Sequence, residues 1–222
     1  LLRNGAGFAS GRVGQAFNLD GQDDYVEVTD SALWAFGTND FSVALWANLR
    51  NVPASTQANP ADVFIGQSAG SGSQDKWFFS LGGGILSVHL NGPGIGPRFI
   101  AAVTFGPATN TWYHLAFTRS NGVYRVFTNG VLAATQTDAT PVADVAAPLT
   151  MGSAEGLGFV NGLLDEILVV NRALSPAEVA AINLAGSLGL CRPTQPPLIV
   201  NQPQSRTNAP GTTAIFTVAA SG

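Results

Sequence analysis

The chain is 222 residues long, 45% hydrophobic but only 11% charged, and carries a net charge of −4. That length holds one large all-β domain or two smaller ones, and folding could bury roughly 70% of the unfolded surface. Ten basic residues, Lys76 being the single lysine, face fourteen acids; nucleic-acid binding is excluded as the main business, because it needs clustered Lys and Arg. No apolar run approaches the roughly 20 residues of a membrane span. Lone Cys191 excludes an internal disulfide framework and a thiolate zinc cage, and is read as inert or paired outside this chain. Leu1 is not an initiator and no signal-peptide pattern follows it, so the chain reads as a piece of something larger.

The first acids come early: Asp20, Asp23, Asp24, Glu27 and Asp30 fall within eleven residues. Phe41–Leu49 alternates, with Phe41, Val43, Leu45 and Leu49 on one face and Ser42, Ala44, Trp46 and Asn48 on the other, as a strand requires. Asn51–Gln74 and Gly92–Pro97 are loops by composition, the first interrupted by Val63-Phe64-Ile65. Trp112–Thr118 alternates again. Asn121-Gly122 and Asn129-Gly130 sit between strand-like runs and predict two-residue hairpins, since a type I′ turn needs positive φ at both central residues. Asn91-Gly92 and Asn161-Gly162 predict further turns. Ser175-Pro176-Ala177-Glu178 supplies an N-cap hydroxyl, a first-turn proline and an N3 carboxylate, marking one short helix that Gly186 can stop. After Cys191, five prolines from Pro193 to Pro210 read as a linker into a new β unit, with strands at Leu198–Val200 and Ala214–Val218. The fold class expected is all-β: an antiparallel β-sandwich of the jelly-roll kind with one short C-terminal helix.

Several segments together resemble laminin-G-like, concanavalin A-like jelly-roll domains. They are Val13–Val28, with its Asn18-Leu-Asp-Gly21 core, Phe41–Trp46, Thr111–Ala116, Tyr124–Gly130, Gly162–Ile167 and Asn171–Val179. The likeness spans roughly residues 8 to 186 in the family's order. Residues 197 to 222 are similar to the first strands of bacterial immunoglobulin-like domains. The organisation expected is therefore a sandwich over 1–190, a Pro-rich linker over 191–197, and an incomplete immunoglobulin-like domain over 198–222.

The resemblance implies one structural calcium ion, held by Asp20, by carbonyls in the Gly37–Asn39 segment, with Gly37 and Asn39 as its ends, and by Asp165. Calcium suits a carboxylate-rich segment because it takes 6–8 oxygen ligands. The alternative is a set of solvated loop acids. Trp77, Phe78 and Phe79, with His89 and Tyr124, are candidates for a sugar platform, since aromatic rings stack on the apolar faces of sugars; the alternative for each is core. Trp46 and Trp112 lie in the family's core motifs and are assigned there.

Catalysis is not expected. Glu27, Glu155, Glu166 and Glu178 form no alternating acid pattern, and adjacent Asp165 and Glu166 point to opposite faces of a strand. The function expected is a non-catalytic module of a larger secreted or cell-surface bacterial protein, calcium-stabilised, recognising an extracellular glycan or a surface protein through the Asn51–Gln74 and Gly92–Pro97 loops. The alternatives are a fibre or stalk subunit joined to neighbouring copies by strand addition, and an accessory domain of a large glycan hydrolase.

Overall fold

A computed structural model describes residues 1–52, 61–190, 198–201, 205 and 207–221. Its strands run in chain order β1 (Leu2–Arg3), β2 (Gly7–Ser10), β3 (Gln15–Asp20), β4 (Tyr25–Val28), β5 (Phe41–Leu49) and β6 (Asp62–Ser68). Next come β7 (Lys76–Gly82), β8 (Ile85–Asn91), β9 (Arg98–Thr104), β10 (Trp112–Ser120), β11 (Val123–Thr128) and β12 (Val131–Thr137). β13 (Leu149–Met151), β14 (Asn161–Val170) and helix α1 (Pro176–Ala185) complete this unit, which spans Leu1–Gly189. The strands form two seven-stranded antiparallel sheets, β1-β4-β13-β6-β7-β8-β9 and β12-β11-β10-β5-β14-β3-β2. This is the expected jelly-roll sandwich.

Alternation decides which sheet face is buried. On β5, Phe41, Val43, Leu45 and Leu49 enter the core between the sheets, while Ala44 packs outward against α1. On β7, Trp77, Phe79 and Leu81 point inward without exposed surface. An aromatic edge joins the layers, where Phe117 of β10 meets Phe79 of the first sheet at 5.1 Å between ring centroids, and Phe117 also meets Phe41 of its own sheet at 5.4 Å. Such edge-to-face pairs add to the burial of the rings themselves. Trp77 donates its indole N–H to Gln67 Oε1 at 3.2 Å, and buried Gln67 donates in turn to the carbonyls of Val145 and Ala147.

The two hairpins form as predicted. Ser120 pairs with Val123 around Asn121-Gly122, and Thr128 pairs with Val131 around Asn129-Gly130, all four turn residues having positive φ. α1 has the full capping box on Ser175 and Glu178. It covers the outer face of the second sheet, where Leu174 and Val179 pack on Ala44, Ala116 and Phe127. A helix this short gains its stability from that packing.

Other expectations give way. Asn161-Gly162 is not a turn but the start of β14, where Gly162 passes so close to the Asn48 carbonyl that a Cβ would lie 2.3 Å from it. Val63–Ile65 belongs to a seven-residue strand, Asp62–Ser68, so this part of the Asn51–Gln74 segment expected as a loop is strand. Trp46 is buried as expected, but on the outer face, under the Arg12 guanidinium 4.6 Å away, and Trp112 is half-buried at a sheet end.

The second unit spans Leu190–Gly222 and pairs β15 (Leu198–Asn201) with β16 (Ala219–Ser221). Ala214–Val218, expected as a strand, has no regular structure, and Ile215, Phe216 and Val218 are exposed there. The 191–197 linker and Cys191 lie outside the described residues. Among those described, no helix is long and apolar enough to cross a membrane.

Because Trp77 fills the centre of the core, Trp77→Ala is expected to lower stability by about 3–5 kcal/mol. Urea unfolding checks this, and a loss below about 1 kcal/mol would contradict the packing described.

Candidate functional site

The strands that bury Trp77 and Phe79 present their other face to a cleft of about 610 Å³ on the outside of the first sheet. β7 contributes Lys76, Phe78 and Ser80; β8 contributes Ser87, His89 and Asn91; β9 contributes Phe99. Register sets them side by side, since Phe78 pairs with His89 and His89 with Phe99. The result is a row of rings across three strands. Phe78 stacks on His89 at 5.5 Å and 21°, and His89 meets Phe99 at 4.8 Å. Phe78 and His89 are mostly covered, whereas Phe99 is 45% exposed. Gly66 of β6 makes room for Phe78, because a Cβ there would lie 2.6 Å from the ring.

One wall comes from a tight turn. Glu155 and Gly156 both have positive φ, at 60° and 67°, and Ala154 and Leu157 exchange backbone hydrogen bonds across them. This holds Glu155 over Lys76, whose ammonium it pairs with inside the cleft rim. Glu155 Oε1 also accepts from the Ser68 hydroxyl at 3.0 Å. The Lys76 side chain is 4% exposed and that of Glu155 12%, so this is a largely desolvated pair rather than a surface bridge. The two loops expected to border a ligand each reach the rim, through Gly72 and Pro97. Residues 53–60 of the first lie outside the described residues.

Of the expected platform, His89 lies in the cleft. Trp77, Phe79 and Tyr124 do not: each has no exposed surface and belongs to the core, so none can stack on a sugar. The reason is the period of two, which turns Trp77 and Phe79 away from the face that carries Phe78. Tyr124 lies instead near the buried Arg119 guanidinium, 5.6 Å from its ring, and burial pushes its hydroxyl up to about 12. Phe78, also expected there, does line the cleft, beside Phe99 of β9, which no sequence signal marked. The signal for Phe78 was present in Lys76-Trp-Phe-Phe-Ser80, where Phe78 shares the parity of two polar residues.

The calcium set implied by the resemblance is not brought together. Asp20 pairs with Asn161 near the Leu49 end of β5, whereas Gly37 and Asn39 precede its Phe41 end, about 27 Å of strand away. The Thr38 and Asn39 carbonyls accept from Arg119 Nη1, so a guanidinium already serves them. The Gly37 carbonyl accepts from the Val142 N–H. Asp165 takes the backbone N–H groups of Val13 and Glu166, each at 2.8 Å. These four residues do not fit one ion. Asp20 instead converges with Asp23 and Asp24, their ligand atoms within 4.8 Å. Backbone hydrogen bonds, chiefly from Gln22, hold Asp20 below the usual carboxylate range, and burial followed by the charge of Asp20 raises Asp24.

The chain belongs to the concanavalin A-like lectin/glucanases superfamily, whose family model matches residues 20–180. No curated protein matches it. Among solved structures, it is similar to domain 4 of AbnA, a GH43 extracellular arabinanase from Geobacillus stearothermophilus, in complex with arabinotriose. That pair is 23% identical, covers 80% of this chain and 81% of the other, and has a TM-score of 0.64. The binding domain of Paraclostridial Mosquitocidal Protein 1 is 15% identical at a TM-score of 0.63, over 82% of this chain and 46% of that one. The botulinum neurotoxin serotype G binding domain is 12% identical at 0.63, over 83% and 45%. This chain thus spans a little under half of each toxin chain, and at these identities the likeness is one of fold.

The two histidines give a direct test. Burial, helped by the Lys76 charge, lowers His89 to about 4, and burial alone lowers His114 to about 4. Unfolded histidine protonates near 6.5, so between pH 6.5 and about 4 the unfolded chain binds these protons first, and both residues cost stability as pH falls. Asp62, raised to about 7 by burial, acts in the opposite direction. The ring resonances are read separately from that sum: neither histidine is expected to titrate in NMR spectra between pH 8 and 5.5. A midpoint near 6.5 for either would show that its ring is solvated.

Proposed function

We propose that this chain is a non-catalytic recognition module that holds a glycan against the outer face of its first sheet. The observation that carries this is the row Phe78–His89–Phe99, set in register on the floor of an open cleft. Phe99 offers an exposed ring to the C–H face of a sugar, and the stacked, largely covered Phe78 and His89 back it on the cleft floor. Ser80, Ser87 and Asn91 stand beside them as hydroxyl and amide partners. The volume lies within the range of about 300–1,000 Å³ usual for small-ligand sites, and the mix of apolar floor and few polar groups is the usual one. The likeness to a domain solved with arabinotriose supports a sugar over other ligand classes.

The chemistry of the lining supports binding without turnover. Glycoside hydrolysis calls for two carboxyl groups about the scissile bond. Glu155 is the one acid among the cleft's lining residues, and Lys76 holds it. Recognition of a protein remains the second form of this reading, favoured by the toxin binding domains among the fold relatives. A fibre built by strand addition at the N-terminal edges has less support, because β1 and β2 have only two and four residues, although the opposite edges, β9 and β12, have seven each. A module of this kind suits an extracellular, multidomain parent, as an accessory domain beside a separate catalytic one.

A glycan array followed by calorimetry on the best hit tests the proposal. Phe99→Ala is expected to weaken binding about tenfold, the scale of one lost aromatic contact, with little change in Tm because the ring is half exposed. Binding that survives both Phe99→Ala and Phe78→Ala undiminished would place the ligand elsewhere. Chelation is expected to leave affinity unchanged, since none of Asp20, Asp23 or Asp24 lines the cleft.

A further inference from the structure

We infer that the cleft selects an uncharged glycan, and that the Lys76–Glu155 ion pair is the element that sets this selectivity. The inference rests on the glycan reading above and adds the class of sugar.

Among the described residues, the charged and titratable groups lining the cleft are Lys76, Glu155 and His89. Lys76 and Glu155 cancel each other across their ion pair. His89 is neutral at physiological pH, held so by burial and by the neighbouring Lys76 charge. Arg98 of β9, adjacent in sequence to Phe99, directs its Nε to Asp138 at 2.8 Å and is not among the lining residues. The recognition surface therefore carries no net charge. It is also fixed in that state, because the Glu155-Gly156 turn and the Ser68 hydroxyl hold the carboxylate over the lysine.

An acidic sugar meets two obstacles here. Its carboxylate or sulfate must either sit beside Glu155, at the cost of like-charge repulsion, or displace Glu155 from Lys76. Displacement leaves a largely buried carboxylate without its cation, which costs far more than a surface bridge is worth. A cationic sugar meets the mirror problem at Lys76. An uncharged sugar leaves the pair intact and still gains from it. The ammonium keeps donors, and the carboxylate keeps acceptor lone pairs, for neighbouring hydroxyls. Elsewhere along the cleft the rim is apolar, with Phe99, Ile85 and Leu157 all more than one-third exposed. That rim favours the C–H faces of an unsubstituted ring and offers an anion nothing.

Affinity electrophoresis of the whole chain in gels containing polysaccharide tests this directly. The neutral panel is linear arabinan, galactomannan and xyloglucan; the acidic panel is polygalacturonate, alginate and chondroitin sulfate. Retardation by neutral gels alone is the expected result. Glu155→Gln frees the Lys76 charge and is expected to gain retardation in at least one acidic gel, falling with added salt. Should that variant fold poorly by Tm, Lys76→Met run in the acidic gels replaces it and is expected to show no retardation there. Wild-type retardation in acidic gels that Phe99→Ala abolishes would overturn the inference while leaving the glycan reading standing. A folded Glu155→Gln chain that gains no acidic retardation would overturn the role given to the pair. Retardation by neither panel would overturn the glycan reading, and this inference with it.

Discussion

Everything on the outer face of the first sheet depends on how β7 is seated. Trp77, Phe79 and Leu81 have no exposed surface, and each is held by neighbours from both layers. A strand offers only two faces, so committing these three to the core commits Lys76, Phe78 and Ser80 to the cleft. A slip of one residue would bury the lysine and expose the tryptophan, a state with an unpaired charge in the core and no indole hydrogen bond. β8 is fixed in the same way by Leu86, Val88 and Leu90, which places His89 between Phe78 and Phe99. The cleft is thus the reverse side of the core.

How much of this the sequence discloses depends on how local the physics is. The hairpins at Asn121-Gly122 and Asn129-Gly130 and the Ser175 capping box are decided within four residues, and all form as read. The faces of β5 follow from Phe41, Val43 and Leu45 alternating with Ser42 and Ala44, and the sandwich follows from many such strands. β7 is harder. Trp77-Phe78-Phe79 is an unbroken aromatic run, and neither size nor hydropathy says which members face in. The flanking Lys76 and Ser80 do settle the parity, but only once the run is accepted as a strand. Phe99 was out of reach for another reason: it becomes part of the site through pairing of β9 with β8, a contact between segments joined by an irregular loop. Glu155 is harder still, since its place over Lys76 comes from a turn nearly eighty residues away.

The ligand set expected for calcium does not converge, for a similar reason. A motif carries residue types forward, but an ion needs its ligands to converge. Here Asp165 is spent on backbone N–H groups of Val13 and Glu166, and the carbonyls at Thr38 and Asn39 face a cation belonging to the chain itself. Arg119 is almost wholly buried and stands near Tyr124, so its charge is placed where a loop would otherwise present unpaired carbonyls. A guanidinium with five donors in a fixed plane is well suited to that work. The early acids, relieved of the shared role, instead organise their own turn through Asp20, which accepts from the Gln22 and Asp23 N–H groups.

The two outer faces of the sandwich make the same point in opposite ways. On the second sheet the outward residues are small or apolar, Ala44, Ala116 and Phe127, and α1 closes over them. Beside them Trp46 and His114 are sealed as well, with Arg12 lying across the indole. On the first sheet the outward residues are a lysine, two serines, a histidine and two phenylalanines, and among the described residues no helix covers them. Both faces carry aromatic rings, so aromatic content alone does not separate scaffold from site. What separates them is what lies over the rings. On the second sheet the chain's own helix does, with Leu174 and Val179 against Ala44, Ala116 and Phe127. On the first sheet the groups between the rings are polar, Lys76, Ser80, Ser87 and Asn91, and they line a cleft whose edge ring, Phe99, is 45% exposed.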